Sequence, residues 1–136
     1  MRLIRQEDNF GCGVACTSSL LRLPYSALVL EFGKEKAAKE GFMCKEIVDV
    51  LNKHRKDYCY KYIKPKLRKK IYKNGTIVYI KKCKSYPAGH YLVRYKNCWV
   101  DPWLNFKQDK SVRNALAGTR KRLPGKPIYI IFQKSS

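Results

Sequence analysis

The sequence predicts an α+β fold in which helices come first and an antiparallel sheet follows. Two observations support this prediction. Apolar residues recur at helical spacing before residue 56, and the clearest set is Cys44, Ile47, Val48 and Leu51. Beyond residue 57 the chain changes to short stretches rich in β-branched and aromatic residues, which is typical of strands. The 136 residues are expected to form one domain, residues 1–136, long enough to bury a core.

The first half is expected to contain three helical segments. The first covers about residues 12–22 and ends before Pro24, because the residue preceding a proline is disfavoured in the helical region. A short helical piece follows at about 26–32. Residues 34–40 are polar and are expected to be exposed. The last helix of this half spans about 43–55 and carries the apolar set named above.

The second half is expected to form an antiparallel sheet with one short helix, at about 111–116, before its last strand. The predicted strands are 58–63, 76–81, 90–96, 98–101 and 128–132. Lys96 and Asn97 form a tight turn between two of them. His90 and Asp101 therefore lie at the same end of one hairpin, and we expect the imidazole and the carboxylate to be within reach of each other.

Cys12 is the candidate nucleophile. It stands at the predicted start of the first helix, where the partial positive charge of the helix end favours a thiolate. Gly11 and Gly13 flank it and would permit an unusual turn and a close approach of substrate backbone. His90 would hold the proton and deliver it to the leaving group, while Asp101 would fix the imidazole tautomer.

Gln6 supplies a side-chain amide donor just ahead of the helix. With the Cys12 backbone N–H it would form an oxyanion hole. Each candidate also has a purely structural interpretation: a buried small thiol for Cys12, a loop side chain for Gln6, a turn former for Asp101. Cys16 is expected to pack inside the helix interface, and His54 to be solvated on a polar helix end.

These motifs resemble the papain-like cysteine peptidase family that removes double-glycine leader peptides from bacteriocins, usually fused to ABC transporters. The resemblance rests on Gln6 and Cys12 at the family's spacing, on residues 41–47 at the start of the later helix, and on residues 89–93 followed by Val100-Asp101-Pro102. It runs from about residue 3 to 133. It implies a papain-like fold, a catalytic set of Cys12, His90, Asp101 and Gln6, and peptide cleavage through a thioester.

The chain departs from that family in two respects. It stops where a transporter would continue into membrane helices and an ATPase. It is also far more basic than we expect of the family's peptidase domains, with a net charge of +20. Residues 1–57 carry ten Lys/Arg against eight Asp/Glu, whereas residues 58–136 carry twenty against two. The densest runs are 61–73 and Arg120-Lys121-Arg122, which would attract polyanions unless they are simply solvated faces.

Six cysteines without a signal peptide are expected to be reduced, and their spacing lacks the paired ligands of a zinc site. We therefore expect no metal and no cofactor. No apolar run approaches the length of a membrane span. A monomeric protein made in the cytoplasm is expected, with delivery to another cell by a signal-free route left open.

The favoured function is a cysteine hydrolase acting on peptide or protein substrates, with deamidase or transglutaminase activity open because the same thioester serves them. A free-standing basic domain of this kind would also suit a bacterial effector or toxin with an acidic immunity or inhibitor partner. The alternative is a non-catalytic module whose basic face binds nucleic acid or an acidic protein. Tyrosines among the lysines, at positions 58, 60, 62 and 72, would then stack on bases.

Overall fold

The computed structural model describes residues 1–134. Four α-helices come first: α1 (Cys12–Leu21), α2 (Tyr25–Phe32), α3 (Lys34–Lys39) and α4 (Cys44–Lys53). Six strands and two 3₁₀ turns follow. The strands are β1 (Tyr58–Tyr62), β2 (Ile77–Ile80), β3 (His90–Tyr95), β4 (Cys98–Asp101), β5 (Gly118–Arg120) and β6 (Pro127–Gln133). The 3₁₀ turns span Pro65–Tyr72 and Val112–Asn114.

The strands form one antiparallel sheet in the order β1-β6-β2-β3-β4-β5. Its two faces are both covered. The helices pack on one face, where Ile47 and Leu51 of α4 are fully buried with Val93 of β3. The 3₁₀ turn Pro65–Tyr72 contributes Ile71 to a smaller apolar cluster on the other face. The α+β fold predicted from the sequence is thus confirmed.

The amphipathic helix α4 shows why the periodicity of the sequence was informative. Its five apolar positions, the four named from the sequence and Val50, are all buried. Glu46 accepts the Met43 backbone N–H at 2.9 Å, which satisfies a free donor at the helix start. Burying a side chain such as Leu51 contributes about 1.5–3 kcal/mol. None of the helices in the described part of the chain is long and apolar enough to cross a membrane.

Three elements differ from the expectations. Residues 34–39, expected to be merely polar and exposed, form α3, because Ala37 is buried under the turn. The cationic stretch 65–72 forms a 3₁₀ helix. The three-residue strand β5 pairs with β4 at one edge of the sheet.

Candidate active site

His90 and Asp101 are brought together by the β3–β4 hairpin. The register pairs Arg94 with Trp99 and Val93 with Val100. Continued by one residue, it places Asp101 opposite Leu92, so His90 is the diagonal neighbour of Asp101 on the same face of the sheet. His90 Nε2 lies 2.7 Å from Asp101 Oδ1. Both side chains are almost completely buried, so water does not compete for this hydrogen bond.

Asp101 accepts hydrogen bonds from other groups besides the imidazole. The backbone N–H of Trp103 donates to the same Oδ1 at 2.9 Å. Arg120 Nε lies 3.3 Å from Oδ2 but is not aligned for a hydrogen bond, so its contribution is Coulombic. Burial raises the pKa of Asp101, but the His90 charge and hydrogen bond, the Trp103 N–H and the Arg120 charge together hold that pKa below its ordinary value. The carboxylate is therefore ionised at neutral pH.

The same balance acts on His90. Burial by itself lowers the pKa of the imidazole, but the Asp101 charge and the hydrogen bonds to Asp101 and Cys12 outweigh it and raise the pKa to about 10. The ring is positively charged at neutral pH. Because Nε2 is bonded to Asp101, Nδ1 is the ring nitrogen that remains to interact with Cys12.

Cys12 is the first residue of α1, and Gly11 is the N-cap without a side-chain hydrogen bond. The backbone N–H of Cys12 lies in the first turn, where helical N–H groups lack an intrahelical acceptor. An adjacent imidazolium and a helix N-terminus both favour a thiolate. One turn on, Cys16 is 1% exposed, and burial raises the pKa of its thiol well above the usual range. Cys16 is therefore an inert core residue.

The two glycines beside Cys12 serve packing rather than an unusual turn, which corrects the sequence-based interpretation. Gly11 has an ordinary φ of −92°. A Cβ there would lie 2.1 Å from the hydroxyl of Tyr25, which donates to Asp8 at 2.7 Å. A Cβ on Gly13 would lie 2.9 Å from the Ile47 side chain. Both glycines let neighbouring side chains pack closely against the start of α1.

Gln6 is 2% exposed and borders the same cavity as Cys12 and His90. Its Nε2 donates to the carbonyls of Asp8 at 3.0 Å and Asn9 at 3.2 Å, and its Oε1 has no partner among the described residues. In this state the amide braces the loop that leads into α1. The structure thus places Gln6 at the site with its two N–H groups already engaged.

A cavity of about 820 Å³ opens in front of Cys12 and His90. Nine of its lining residues are Phe, Tyr or Trp, among them Phe42, Tyr79 and Trp103. The charged groups of this wall are Glu40, Lys45, Lys82 and Lys110. A site of this size, with a few polar groups converging on an apolar wall, suits a peptide segment.

An aromatic column supports His90, and the sequence reasoning missed it. The Tyr86 ring stacks on the imidazole with centroids 4.9 Å apart and 14° between the planes, and Phe106 stacks on Tyr86 at 5.3 Å. Trp103 then meets Phe106 edge to face at 4.8 Å. The column limits rotation of the imidazole. The only signal for Tyr86 in the sequence is that it lies four residues before His90.

Two sequence-based expectations change in detail. Arg120, taken as part of an outward basic run, turns towards Asp101 instead. His54, expected to be solvated, pairs with Glu31 at 2.8 Å, and it does not border the cavity.

All six cysteines are free thiols. Among residues 1–134, no group of His, Cys, Asp and Glu side chains is arranged to hold a metal ion.

Comparison with known proteins identifies the fold. No protein-family model matches the chain, and no curated protein sequence matches it. Among solved structures it is similar to the peptidase domain of Streptococcus ComA, a bifunctional ABC transporter involved in a quorum-sensing pathway. The two share 23% sequence identity, the alignment covers 96% of each chain, and the TM-score is 0.59. The chain therefore has the fold of the ComA peptidase domain, as the resemblance noted in the sequence implied.

Proposed function

We propose that this protein is a papain-like cysteine peptidase with Cys12 as nucleophile, His90 as acid and base, Asp101 as the group that orients His90, and Gln6 as an oxyanion donor. The observation that supports it best is the buried His90–Asp101 pair at 2.7 Å, which borders the same cavity as Cys12. A structural cysteine has no need of a buried, charged imidazole beside it.

The reaction divides into two steps. Cys12 Sγ attacks the amide carbonyl carbon, and the C–N bond breaks as His90 Nδ1 gives its proton to the departing amine. This leaves a thioester on Cys12. Water then attacks the thioester carbonyl, His90 takes its proton, and the acid and the thiolate are released. Asp101 remains ionised throughout and keeps the imidazole oriented.

The oxyanion that forms in each step would accept hydrogen bonds from the Cys12 backbone N–H and from Gln6 Nε2. One Gln6 N–H must then leave its loop acceptor. The bond to Asn9 is the longer of the two, at 3.2 Å against 3.0 Å to Asp8, and is the one more easily exchanged. Such a donor is typically worth about 10²–10³ in kcat.

The thioester also permits deamidation or transglutamination, which differ only in the acyl donor and acceptor. A toxin or effector role remains a hypothesis from the sequence, based on the charge alone. Peptide cleavage is favoured because the cavity, at about 820 Å³, is large enough to hold several side chains of a peptide beside Cys12.

The test is Cys12-dependent cleavage of a proteome-derived peptide library, with products identified by mass spectrometry. We expect cleavage by the wild type and by Cys83→Ala, which removes an exposed thiol. We expect none by Cys12→Ala or His90→Ala. Two results would reject the proposal. One is cleavage that survives Cys12→Ala. The other is a folded wild-type protein that cleaves no peptide, releases no ammonia and joins no amines.

A further inference from the structure

A second cavity, of about 480 Å³, lies at the end of strands β1 and β6, beneath the 3₁₀ turn Pro65–Tyr72. Four cationic side chains border it: Lys64, Arg68, Lys69 and Lys126. Within residues 1–134, none of the four forms an ion pair or a side-chain hydrogen bond. No carboxylate lies on its wall. This basic cavity therefore offers concentrated positive charge that nothing in the described chain neutralises.

The rest of this half of the protein offers no compensation either. Residues 58–136 contain only two carboxylates. Asp101 is buried against His90, and Asp109 is engaged with Ser111 and Asn114. Like charges placed side by side without partners destabilise the folded state. An external anion would remove that cost.

The basic cavity adjoins the catalytic one. Tyr129 borders the catalytic cavity and Tyr62 borders the basic cavity. The two residues face each other across the β1–β6 ladder, and their rings meet edge to face with centroids 5.7 Å apart. A chain leaving the catalytic cavity over Tyr60 and Tyr62 would reach the basic cavity directly.

The strand that joins the two cavities is an unpaired sheet edge. Ile63 N–H donates to Ile128 at 2.9 Å, so by alternation Tyr60 and Tyr62 direct their backbone groups away from β6. At Tyr58 the outward groups are taken by the Asn52 side chain, at 2.8 and 3.1 Å. No group in residues 1–134 bonds the outward N–H and C=O of Tyr60 and Tyr62. An extended peptide could pair there as an added strand.

We propose that the substrate of this site is a polypeptide with an acidic segment, which adds to the free edge of β1 and places its carboxylates in the basic cavity. This inference rests on the proposed peptidase function and names its substrate class. Single-stranded nucleic acid is disfavoured as the occupant because the free backbone edge matches the hydrogen-bond pattern of a peptide.

The test measures binding without cleavage. Full-length Cys12→Ala protein is titrated into a labelled peptide of about ten residues in which Glu and Val alternate, with a Gln-Val peptide as the neutral match. Fluorescence anisotropy gives Kd. We expect the acidic peptide to bind at least about tenfold more tightly than the neutral one, and more weakly as salt increases.

Two charge-matched variants locate the surface. Arg68→Glu with Lys69→Glu reverses two charges at the basic cavity and should weaken binding by about tenfold or more. Lys121→Glu with Arg122→Glu reverses two exposed charges that follow β5, at the opposite edge of the sheet, and should leave Kd within about twofold. An equal loss in both variants would show diffuse attraction and overturn the proposal. Circular dichroism checks that both variants are folded.

Two further measurements separate the alternatives. N-methylation of alternate amides in the acidic peptide should abolish its tight binding, and undiminished binding would refute edge pairing. A thymidine oligonucleotide of equal charge that binds more tightly than the acidic peptide would assign the surface to nucleic acid instead. Wild-type cleavage of neutral peptides reports on the proposed function alone, so the two proposals can fail separately.

Discussion

His90 Nε2 and Asp101 Oδ1 are 2.7 Å apart although the β3–β4 register makes the two residues diagonal neighbours rather than direct partners. The imidazole therefore leans along the strand, with one nitrogen on the carboxylate and the other towards Cys12. This single contact fixes the tautomer and the charge of the ring.

Cys12 should be alkylated by iodoacetamide faster than Cys83 at pH 6, although Cys83 is more exposed. The reason is the imidazolium beside Cys12. Mass spectrometry of the labelled peptides gives both rates in one sample. The advantage should disappear in His90→Ala, and equal rates in the wild type would mean that the thiol is not activated.

Asp101→Asn should lower kcat by about 10²–10⁴ with little change in KM, because the imidazole loses the partner that fixes its tautomer. Asp109→Asn is the matched control, because the Asp109 carboxylate accepts from Ser111 and Asn114 and its contact with Trp103 is through the backbone carbonyl, which the substitution keeps. Its kcat should stay within about twofold of the wild type. Steady-state kinetics on a peptide found by the library screen measures both.

Gln6→Ala separates an oxyanion donor from a loop brace. If Gln6 is an oxyanion donor, Gln6→Ala should lower kcat by about 10²–10³. As a brace only, its loss would cost about 0.5–1.5 kcal/mol of stability for each hydrogen bond and leave kcat nearly unchanged. Denaturant unfolding and kinetics on the same variant distinguish the two. Gln108→Ala, at an exposed position, serves as the control.

Gly89→Ala should destabilise the protein much more than Gly33→Ala. Both glycines have positive φ, 74° and 116°, so both substitutions cost roughly 1–3 kcal/mol of backbone strain. At Gly89 the new Cβ would also lie 2.1 Å from the Tyr79 hydroxyl, whereas at Gly33 the nearest atom is 3.8 Å away. We expect an extra cost of about 1–3 kcal/mol at Gly89, measured by urea unfolding. Equal costs would show that Tyr79 moves aside freely.

Stability should fall as the pH rises from 7 to 9, and His90 should cause part of the slope. The pKa of His90 is raised to about 10, above its ordinary value of 6.5, so the folded protein holds a proton that the unfolded chain releases. The stabilisation is complete below about pH 6.5 and is lost as the pH passes through 10. The slope is at most about 1.4 kcal/mol per pH unit. His90→Gln should show a shallower slope in urea unfolding at each pH, and an identical slope would contradict the raised pKa.

Local patterns were enough to predict α1, α4 and the β3–β4 hairpin, because each has a clear period or turn signal. They failed for α3 and for β5, which are too short to show a period. The 3₁₀ helix at 65–72 escaped because its cations outnumber its two buried or half-buried apolar residues, Leu67 and Ile71.

The candidate site divides in the same manner. Cys12, His90 and Asp101 were predictable, since spacing along the chain placed each at the end of an element. The stacking of Tyr86 on His90 and the contact of Arg120 with Asp101 were not predictable. Both depend on tertiary packing, which brings β5 and the loop before β3 against the hairpin. Nor could the sequence show that the two N–H groups of Gln6 are engaged with its own loop.

The proposed nucleophile, Cys12, and the proposed oxyanion donor, Gln6, lie within the first 12 residues, while His90 and Asp101 come about 80 residues later. On the ribosome, Cys12 emerges long before the hairpin that would activate it has been made. A nascent chain thus lacks the imidazole beside Cys12 until α1 packs against β3. On the proposed roles, synthesis of the nucleophile and assembly of the site around it are separated in time by the order of the chain itself.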